Sequence, residues 1–254
     1  MSEPKEQKQP REQQEHQEPK APRPRKPLRH ATWEWIKSLA IALVIWFVLR
    51  TLLIEAFRIP SSSMERTLLV GDFLFVNKAL YGAEVPLIHA RLPAFREPRL
   101  DDIVVFDSRT EAGVKVVKRL VGMPGDTLRM KDAVLYRNGI AQHEPYVEHV
   151  DSLGDTSAPE MRQWQLDYVL ASVKRDTYRP TRDNWGPLVV PTGEYFVMGD
   201  NRDNSYDSRY WGFVGRGVIR GRPLFIYYSF DHDSWRALPF LTAIRWGRIG
   251  HEPH

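Results

Sequence analysis

A serine and a lysine in two short motifs are the residues of this chain best suited to covalent catalysis. Ser63 lies in the motif IPSSSM, residues 59–64, and Lys118 lies in VKRLVGMPGD, residues 117–126. A serine hydroxyl is a weak nucleophile near neutral pH, and a neutral amine beside it can accept its proton. The pair predicts nucleophilic catalysis with Ser63 as nucleophile and Lys118 as general base.

A lysine base needs a lowered pKa, because an ordinary lysine pKa of ~10.4 leaves the amine protonated at pH 7. If residues 114–121 form a strand, the period of two places Lys118 on one face with Val116 and Leu120, and Arg119 on the opposite face. Burial against the apolar face would lower the pKa of Lys118, whereas Arg119 could stay charged in water or in an ion pair.

A third segment favours a catalytic site over simpler interpretations. Taken alone, Lys118 and Arg119 read as a solvated basic pair, and residues 61–63 read as an ordinary loop. The segment GDNRDNSYDSRYWG, residues 199–212, is dense in polar and aromatic side chains that no simple packing pattern explains. The three segments together therefore predict one site.

The N-terminal part of the chain predicts a tail followed by a membrane anchor. Residues 1–30 are polar and charged with almost nothing apolar, which predicts a disordered tail. Residues 31–57 predict one transmembrane helix, although only Ser38 to Leu49 is free of charge. A span of ~20 residues then requires Lys37 or Arg50 to lie near an interface. A buried core helix is an alternative. A cleaved signal peptide fits poorly, because a long polar tail precedes the segment and bulky residues follow it.

Basic residues before the predicted helix indicate that the N-terminus is cytoplasmic. They are Lys20, Arg23, Arg25, Lys26 and Arg29. The net charge of +4 draws partly on this tail, so it indicates topology and contact with anionic phospholipid. No motif of a nucleic-acid reader is evident, and we expect no nucleic-acid partner.

The composition disfavours metal and thiol chemistry. The chain has no cysteine, so disulfides and thiolate nucleophiles are excluded, and its eight histidines include no HExxH pair. The acidic residues of 199–212 lack the glycine and distal glutamate of an EF-hand loop. We therefore expect no metal and no cofactor.

Residues 58–254 predict an all-β domain with an antiparallel sheet. Short β-type runs alternate with turn residues, and a polar stretch at about 140–190 predicts an inserted subdomain. A type II turn is predicted at residues 123–126 and should send the chain back after the Lys118 strand. Residues 238–244 are apolar but too short to span a bilayer, so they predict core or a membrane-facing edge. The predicted strands are Phe73 to Lys78, Ile103 to Asp107, Gly113 to Val121, Tyr195 to Met198 and Gly217 to Tyr228.

The three motifs, their order and the preceding anchor resemble bacterial type I signal peptidase, also called leader peptidase. The resemblance runs from about Arg50 to the C-terminus and includes Thr67-Leu68, Gly71-Asp72 and the late Arg248-Ile249-Gly250. It implies a membrane-anchored serine endopeptidase that removes N-terminal signal peptides after small residues. The implied location is the bacterial cytoplasmic membrane, single-pass, with the catalytic domain on the periplasmic face. The implied partners are signal peptides of exported preproteins and the protein-export machinery.

The resemblance also implies roles for individual residues. Ser61 and the backbone N–H of Ser63 would form the oxyanion hole, where one donor typically contributes ~3 kcal/mol. Ser205 would hydrogen-bond the lysine amine, and Asp207 and Arg209 would form a supporting ion pair. Residues 200–202 are expected to be structural.

Substrate recognition is predicted to occur by addition of an extended peptide to a sheet edge. Position alone suggests Ile59, Met64 and Val116 as pocket residues. The sequence departs from the family pattern where Ser62 replaces a common glycine and Arg66 replaces a common proline. We expect both departures to affect loop stiffness or specificity more than activity.

Two other functions fit parts of the pattern. A self-cleaving repressor of the SOS type uses a similar Ser-Lys pair, but a DNA-binding helix pair is expected where this chain has its predicted anchor. A non-catalytic anchored binding protein would also keep the fold, but it would be expected to lose Ser63, Lys118 or Ser205.

Overall fold

The computed structural model describes residues 28–85, 90–150 and 154–254. Most of the predicted N-terminal tail lies outside these residues. The chain divides into two units, residues 1–44 and 45–254. The helices are α1 (Leu28–Val48), a π-helical turn (Leu49–Leu53), α2 (Pro159–Gln165), α3 (Ser208–Trp211) and α4 (Pro239–Thr242).

The predicted anchor extends too far along the chain. The α-helix ends at Val48, and Ile54–Arg58 is a strand paired antiparallel to Asp72–Asn77, not the end of a helix. The strand alternates exposed and half-buried residues, the period that a sheet requires. In the part of the chain that the structure describes, no helix combines the length and the apolar character needed to cross a bilayer.

Antiparallel strands form two sheets in the second unit, which confirms the all-β prediction. The strands are β1 (Ile54–Arg58), β2 (Asp72–Asn77), β3 (Ile103–Asp107), β4 (Lys115–Gly122), β5 (Thr127–Lys131), β6 (Val134–Arg137), β7 (Ile140–Ala141), β8 (Trp185–Val189), β9 (Glu194–Met198), β10 (Val214–Gly215) and β11 (Ile219–Ser229). The larger sheet has the order β1-β2-β11-β3-β4-β9-β10, and the smaller has the order β7-β6-β5-β8. Each of the five predicted strands corresponds to an observed one within two residues at either end, as for β2 and β11.

The turn after β4 has the predicted geometry, but the strand that follows it does not pair with β4. The Asp126 N–H donates to the Met123 carbonyl at 3.0 Å, and Gly125 has φ of 88°, which a side chain would disfavour. The next strand, β5, pairs with β6 and β8 rather than with β4. The turn therefore leads into the smaller sheet instead of closing a hairpin.

The smaller sheet begins earlier in the chain than the predicted insertion. Its first strand starts at Thr127, because Leu128 and Met130 alternate with exposed residues and supply an apolar face. These residues share one core cluster with Phe196 of β9 and Met161 of α2. The smaller sheet and the larger sheet are thus joined by a common core.

Residues 238–244 do not join a core. Leu238, Phe240 and Leu241 are all exposed, and the short helix α4 contains two of them.

Candidate active site

Ser63 lies in a short 3₁₀ helix, Ser62–Met64, that is held from below by apolar side chains. Met64 and Leu68 are buried in the core with Ile59, and the Leu68 N–H donates to the Met64 carbonyl at 2.7 Å. The Ser63 carbonyl accepts from the Asn201 N–H at 3.2 Å. Residues 61–68, called the nucleophile loop here because they contain the predicted nucleophile, are therefore fixed by two sets of contacts. Met64 and Leu68 anchor the loop in the core, and Asn201 of the polar motif, residues 199–212, binds its backbone.

Lys118 lies on β4 and reaches the serine directly. Its Nζ is 2.5 Å from Ser63 Oγ, and the lysine side chain is buried. Burial lowers the pKa of Lys118 to about 8, with Arg209 acting in the same direction and Asp207 and Asp200 opposing it. The amine therefore has an accessible neutral form and a proton donor at hydrogen-bond distance.

Ser61 lies beside the nucleophile, with its Oγ 3.5 Å from Ser63 Oγ. The Ser63 N–H belongs to the first turn of the 3₁₀ helix, where N–H groups have no partner within the helix. A hydroxyl and a backbone N–H are the kinds of donor that bind a developing oxyanion.

Ser205 differs from its predicted contact. Its hydroxyl donates to Asp207 Oδ2 at 2.7 Å, and the lysine amine has its hydrogen bond with Ser63 instead. Ser205 still lines the same cavity as Ser63 and Lys118.

Asp207 and Arg209 form the predicted ion pair behind Ser205. Both are fully buried, and Arg209 Nε lies 2.9 Å from Asp207 Oδ1. Burial alone would raise the pKa of Asp207, but the Arg209 guanidinium and hydrogen bonds from Ser205 and the Gly199 N–H hold that pKa below its ordinary value. The pair is thus a fixed charged support for the serine hydroxyl.

Gly199 is a residue whose role sequence reasoning did not identify, although it begins the polar motif. A Cβ built on Gly199 would lie 2.4 Å from the Ser63 carbonyl oxygen and 2.3 Å from Ser205 Oγ. Both distances are below any real contact, so only glycine allows the motif to approach the nucleophile loop this closely.

Arg119 points away from the serine, as its position on the opposite face predicts. Its guanidinium binds Asp200 through two hydrogen bonds of 2.8 and 2.6 Å and lies 3.8 Å over the ring of Tyr146. Burial opposes the charge, yet the hydrogen bonds and charge of Asp200 leave the pKa of Arg119 raised. The ion-pair alternative is therefore the one that occurs, with Asp200 as the carboxylate partner of Arg119.

The two departures from the family pattern both make contacts with other segments. Ser62 Oγ accepts from Asn204 Nδ2 at 2.8 Å, and Arg66 Nη1 donates to the Val147 carbonyl at 3.0 Å. Arg66 has φ of 78°, a conformation that proline cannot adopt. The backbone at Arg66 therefore differs from that of a relative with proline at this position.

The site opens into one cavity of about 610 Å³ that contains Ser61, Ser63, Lys118 and Ser205. Its apolar lining consists of Phe106, Val114, Val116, Tyr206, Tyr210 and Trp211. Of the three suggested pocket residues, Val116 is among the lining, whereas Ile59 and Met64 are buried in the core beneath the loop. The aromatic residues were not singled out as pocket residues, although their density in 199–212 was a visible signal.

The chain is similar in sequence to proteins of one family. The family model described as signal peptidase, peptidase S26, matches residues 32–228. A signal peptidase I from Pseudomonas aeruginosa is 41% identical over 83% of this chain and 78% of its own length, and one from Pseudomonas fluorescens has the same identity and coverage. A crystal structure of a signal peptidase I from Enterococcus faecalis V583 is 32% identical and covers 51% of this chain and 98% of its own, with a TM-score of 0.34.

Proposed function

The chain belongs to the signal peptidase family of S26 serine peptidases, which cleave signal peptides, and we propose that it does so with Ser63 as nucleophile and Lys118 as general base. The observation that carries this assignment is the 2.5 Å separation of Lys118 Nζ and Ser63 Oγ inside a buried site. The family match covers most of the chain, which favours this function over a self-cleaving repressor or a binding protein without catalysis.

Acylation begins when Ser63 Oγ attacks the carbonyl carbon of the scissile bond and its proton moves to the neutral amine of Lys118. The Ser63 N–H and the Ser61 hydroxyl donate to the oxyanion of the tetrahedral intermediate. The intermediate collapses by breaking the C–N bond, and the leaving amine takes the proton from Lys118. The signal peptide is then an ester of Ser63, and the mature protein is free.

Deacylation repeats the same proton transfers with water. Lys118 accepts a proton from water, whose oxygen attacks the ester carbonyl, and returns it to Ser63 Oγ as the ester bond breaks. No other ionisable group lies at hydrogen-bond distance from the Ser63 hydroxyl among the described residues. The lysine therefore serves both half-reactions.

The substrate is proposed to bind as an added strand along the first half of β4. β4 pairs with β3 from Lys115 to Arg119, but it pairs with β9 only from Arg119 onward. Residues 115–118 therefore have one neighbouring strand and one side toward the cavity, which supports pairing with an extended peptide. Tyr210 and Trp211 also line the cavity, and we propose that their bulk restricts the residues before the cleavage site to small side chains.

The proposed location is the bacterial cytoplasmic membrane, with an N-terminal anchor and the catalytic domain on the periplasmic side. The uncharged run from Ser38 to Leu49 and the basic residues before it support this topology. Preproteins delivered by the export machinery would then be cleaved on the periplasmic side.

The test is cleavage of a model preprotein in detergent micelles by wild type, Ser63→Ala and Lys118→Met. We expect cleavage at a small-x-small site by wild type only, with both variants folded by circular dichroism. A folded variant that cuts the same site at the wild-type rate would disprove the assignment.

A further inference from the structure

Two side chains of the inserted region, residues 127–190, donate hydrogen bonds to one backbone carbonyl of the polar motif, residues 199–212. α2 ends at Gln165, whose Nε2 donates to the Arg209 carbonyl at 3.0 Å. The preceding Trp164 donates from Nε1 to the same oxygen at 3.1 Å. Both lone pairs of that oxygen are therefore occupied by donors that come from outside the motif.

The Arg209 carbonyl needs such donors because of where it lies. α3 is one turn long, and the last carbonyls of any helix lack a partner within the helix. A buried carbonyl without a donor is unfavourable, because it has lost its hydrogen bonds to water and gained none in return. Trp164 and Gln165 remove this penalty by donating to the carbonyl of Arg209, whose guanidinium is also buried.

Gln165 is itself held by a chain of hydrogen bonds. Its Oε1 accepts from the Tyr178 hydroxyl at 2.5 Å, and the Tyr178 oxygen accepts from the Gly186 N–H at 2.9 Å. Gln165 is fully buried, and Tyr178 and Gly186 both belong to the inserted region. The inserted region therefore orients the Gln165 amide so that its N–H group faces the Arg209 carbonyl.

Arg209 passes this support toward the site. Its Nη2 donates to Asp207 at 2.9 Å and to the Arg202 carbonyl at 2.7 Å, and Asp207 accepts from the Ser205 hydroxyl and the Gly199 N–H. Gly199 lies against the Ser63 carbonyl. A shift of α3 would thus move Ser205, which lines the cavity with Ser63 and Lys118, and Gly199, which contacts the Ser63 carbonyl.

We propose that Gln165 and Trp164 are positioning residues for catalysis, which hold α3 and through it the Asp207–Arg209 pair behind Ser205. This proposal rests on the proposed roles of Ser63 and Lys118. It assigns a catalytic purpose to the inserted region, namely to hold the polar motif in register with the nucleophile loop.

The test uses the full chain with Trp164→Phe, Gln165→Met and the double variant. Each single variant keeps one donor for the Arg209 carbonyl, and methionine preserves the volume of glutamine. We expect each to lower kcat several-fold. In the double variant, which leaves the carbonyl without a donor, kcat should fall by roughly 10- to 100-fold, more than the product of the singles, with KM within about twofold.

Leu135→Ala is the matched control, because Leu135 is buried in the core cluster against which Trp164 packs, and among the described residues its side chain makes no hydrogen bond to α3. It should lower the thermal midpoint and leave kcat near that of wild type. A double variant that matches Leu135→Ala in kcat at a comparable midpoint would overturn the proposal, as would a rise in KM with kcat unchanged.

Gln165→Glu provides a second measurement if the double variant does not fold. It keeps the acceptor for Tyr178 and replaces the donor to Arg209 with an acceptor. A lower kcat at unchanged KM supports positioning, and an unchanged kcat overturns it. Ser63→Ala in the same assay separates the two levels: if it still cleaves, the proposed function itself has failed.

Discussion

Lys118 and Arg119 are neighbours on β4, and both side chains are nearly fully buried, yet their charges meet opposite surroundings. The Arg119 guanidinium has a bidentate carboxylate partner in Asp200, which keeps it charged. The Lys118 amine has a serine hydroxyl as its hydrogen-bond partner, and burial lowers its pKa to about 8.

The comparison shows that burial depth alone does not decide whether a basic side chain is a structural cation or a base. The partner decides it, because an ionised carboxylate at hydrogen-bond distance offsets desolvation and a neutral hydroxyl does not. The alternation of the strand delivers one residue to each environment.

Lys118→Arg should have the largest effect, because it removes the difference between positions 118 and 119 by placing a permanent cation next to Ser63. An arginine cannot act as a base near pH 8, so kcat should fall by roughly 10³-fold or more. Single-turnover cleavage of a preprotein measures this. A folded Lys118→Arg protein with kcat within tenfold of wild type would show that the base lies elsewhere.

Substitution by methionine should change stability in opposite directions at the two positions. Lys118→Met removes a buried amine whose charged form is disfavoured and should stabilise the fold at pH 7 by roughly 3 kcal/mol. Arg119→Met leaves the buried Asp200 without its cationic partner and should destabilise the fold by about 3–5 kcal/mol. Chemical denaturation at pH 7 compares the two, and equal signs would contradict the distinction.

The lowered pKa of Lys118 also predicts two pH dependences. kcat/KM should rise about tenfold per pH unit below a midpoint near 8, since the neutral amine is the active form. Because the folded pKa lies below the unfolded value, the unfolded state binds more protons between them. The Lys118 contribution to stability therefore improves from pH 8 to about 10.5.

Lys115→Met is the control for the pH profile, because Lys115 lies on the same strand but is exposed. It should leave the midpoint in place. If kcat/KM shows no acidic limb near pH 8 in wild type, Lys118 is not the group that must lose a proton.

Ser62→Gly should have the smallest effect, since it changes the nucleophile loop and leaves Lys118 and Arg119 untouched. It removes the hydrogen bond from Asn204, so stability should fall by about 0.5–1.5 kcal/mol. kcat should change by less than about threefold, because Ser63 is also held by Met64 and by the Asn201 N–H. A loss of more than tenfold would place Ser62 in the catalytic machinery.

Much of the larger sheet could be predicted because its signals are local. β3 matches its predicted bounds, and β4 carries the predicted alternation around Lys118. The inserted subdomain was predicted to begin at about residue 140, whereas the smaller sheet begins at Thr127, because β5 continues directly from the turn and nothing in the sequence marks a change of sheet. The predicted anchor ran past Val48, since Ile54 to Phe57 is apolar enough for either a helix or a sheet edge.

The candidate nucleophile, the candidate base, the polar motif and the two faces of β4 follow from the amino-acid sequence alone, because they depend on residue type and on spacing within one segment. The fold is needed to show that Asp200 pairs with Arg119, that Ser205 donates to Asp207, and that Gln165 reaches the Arg209 carbonyl. Apart from Ser205 and Asp207, these partners are 44 to 81 residues apart in the chain. Periodicity states which face a side chain occupies, whereas the group that covers that face is set by packing between distant segments.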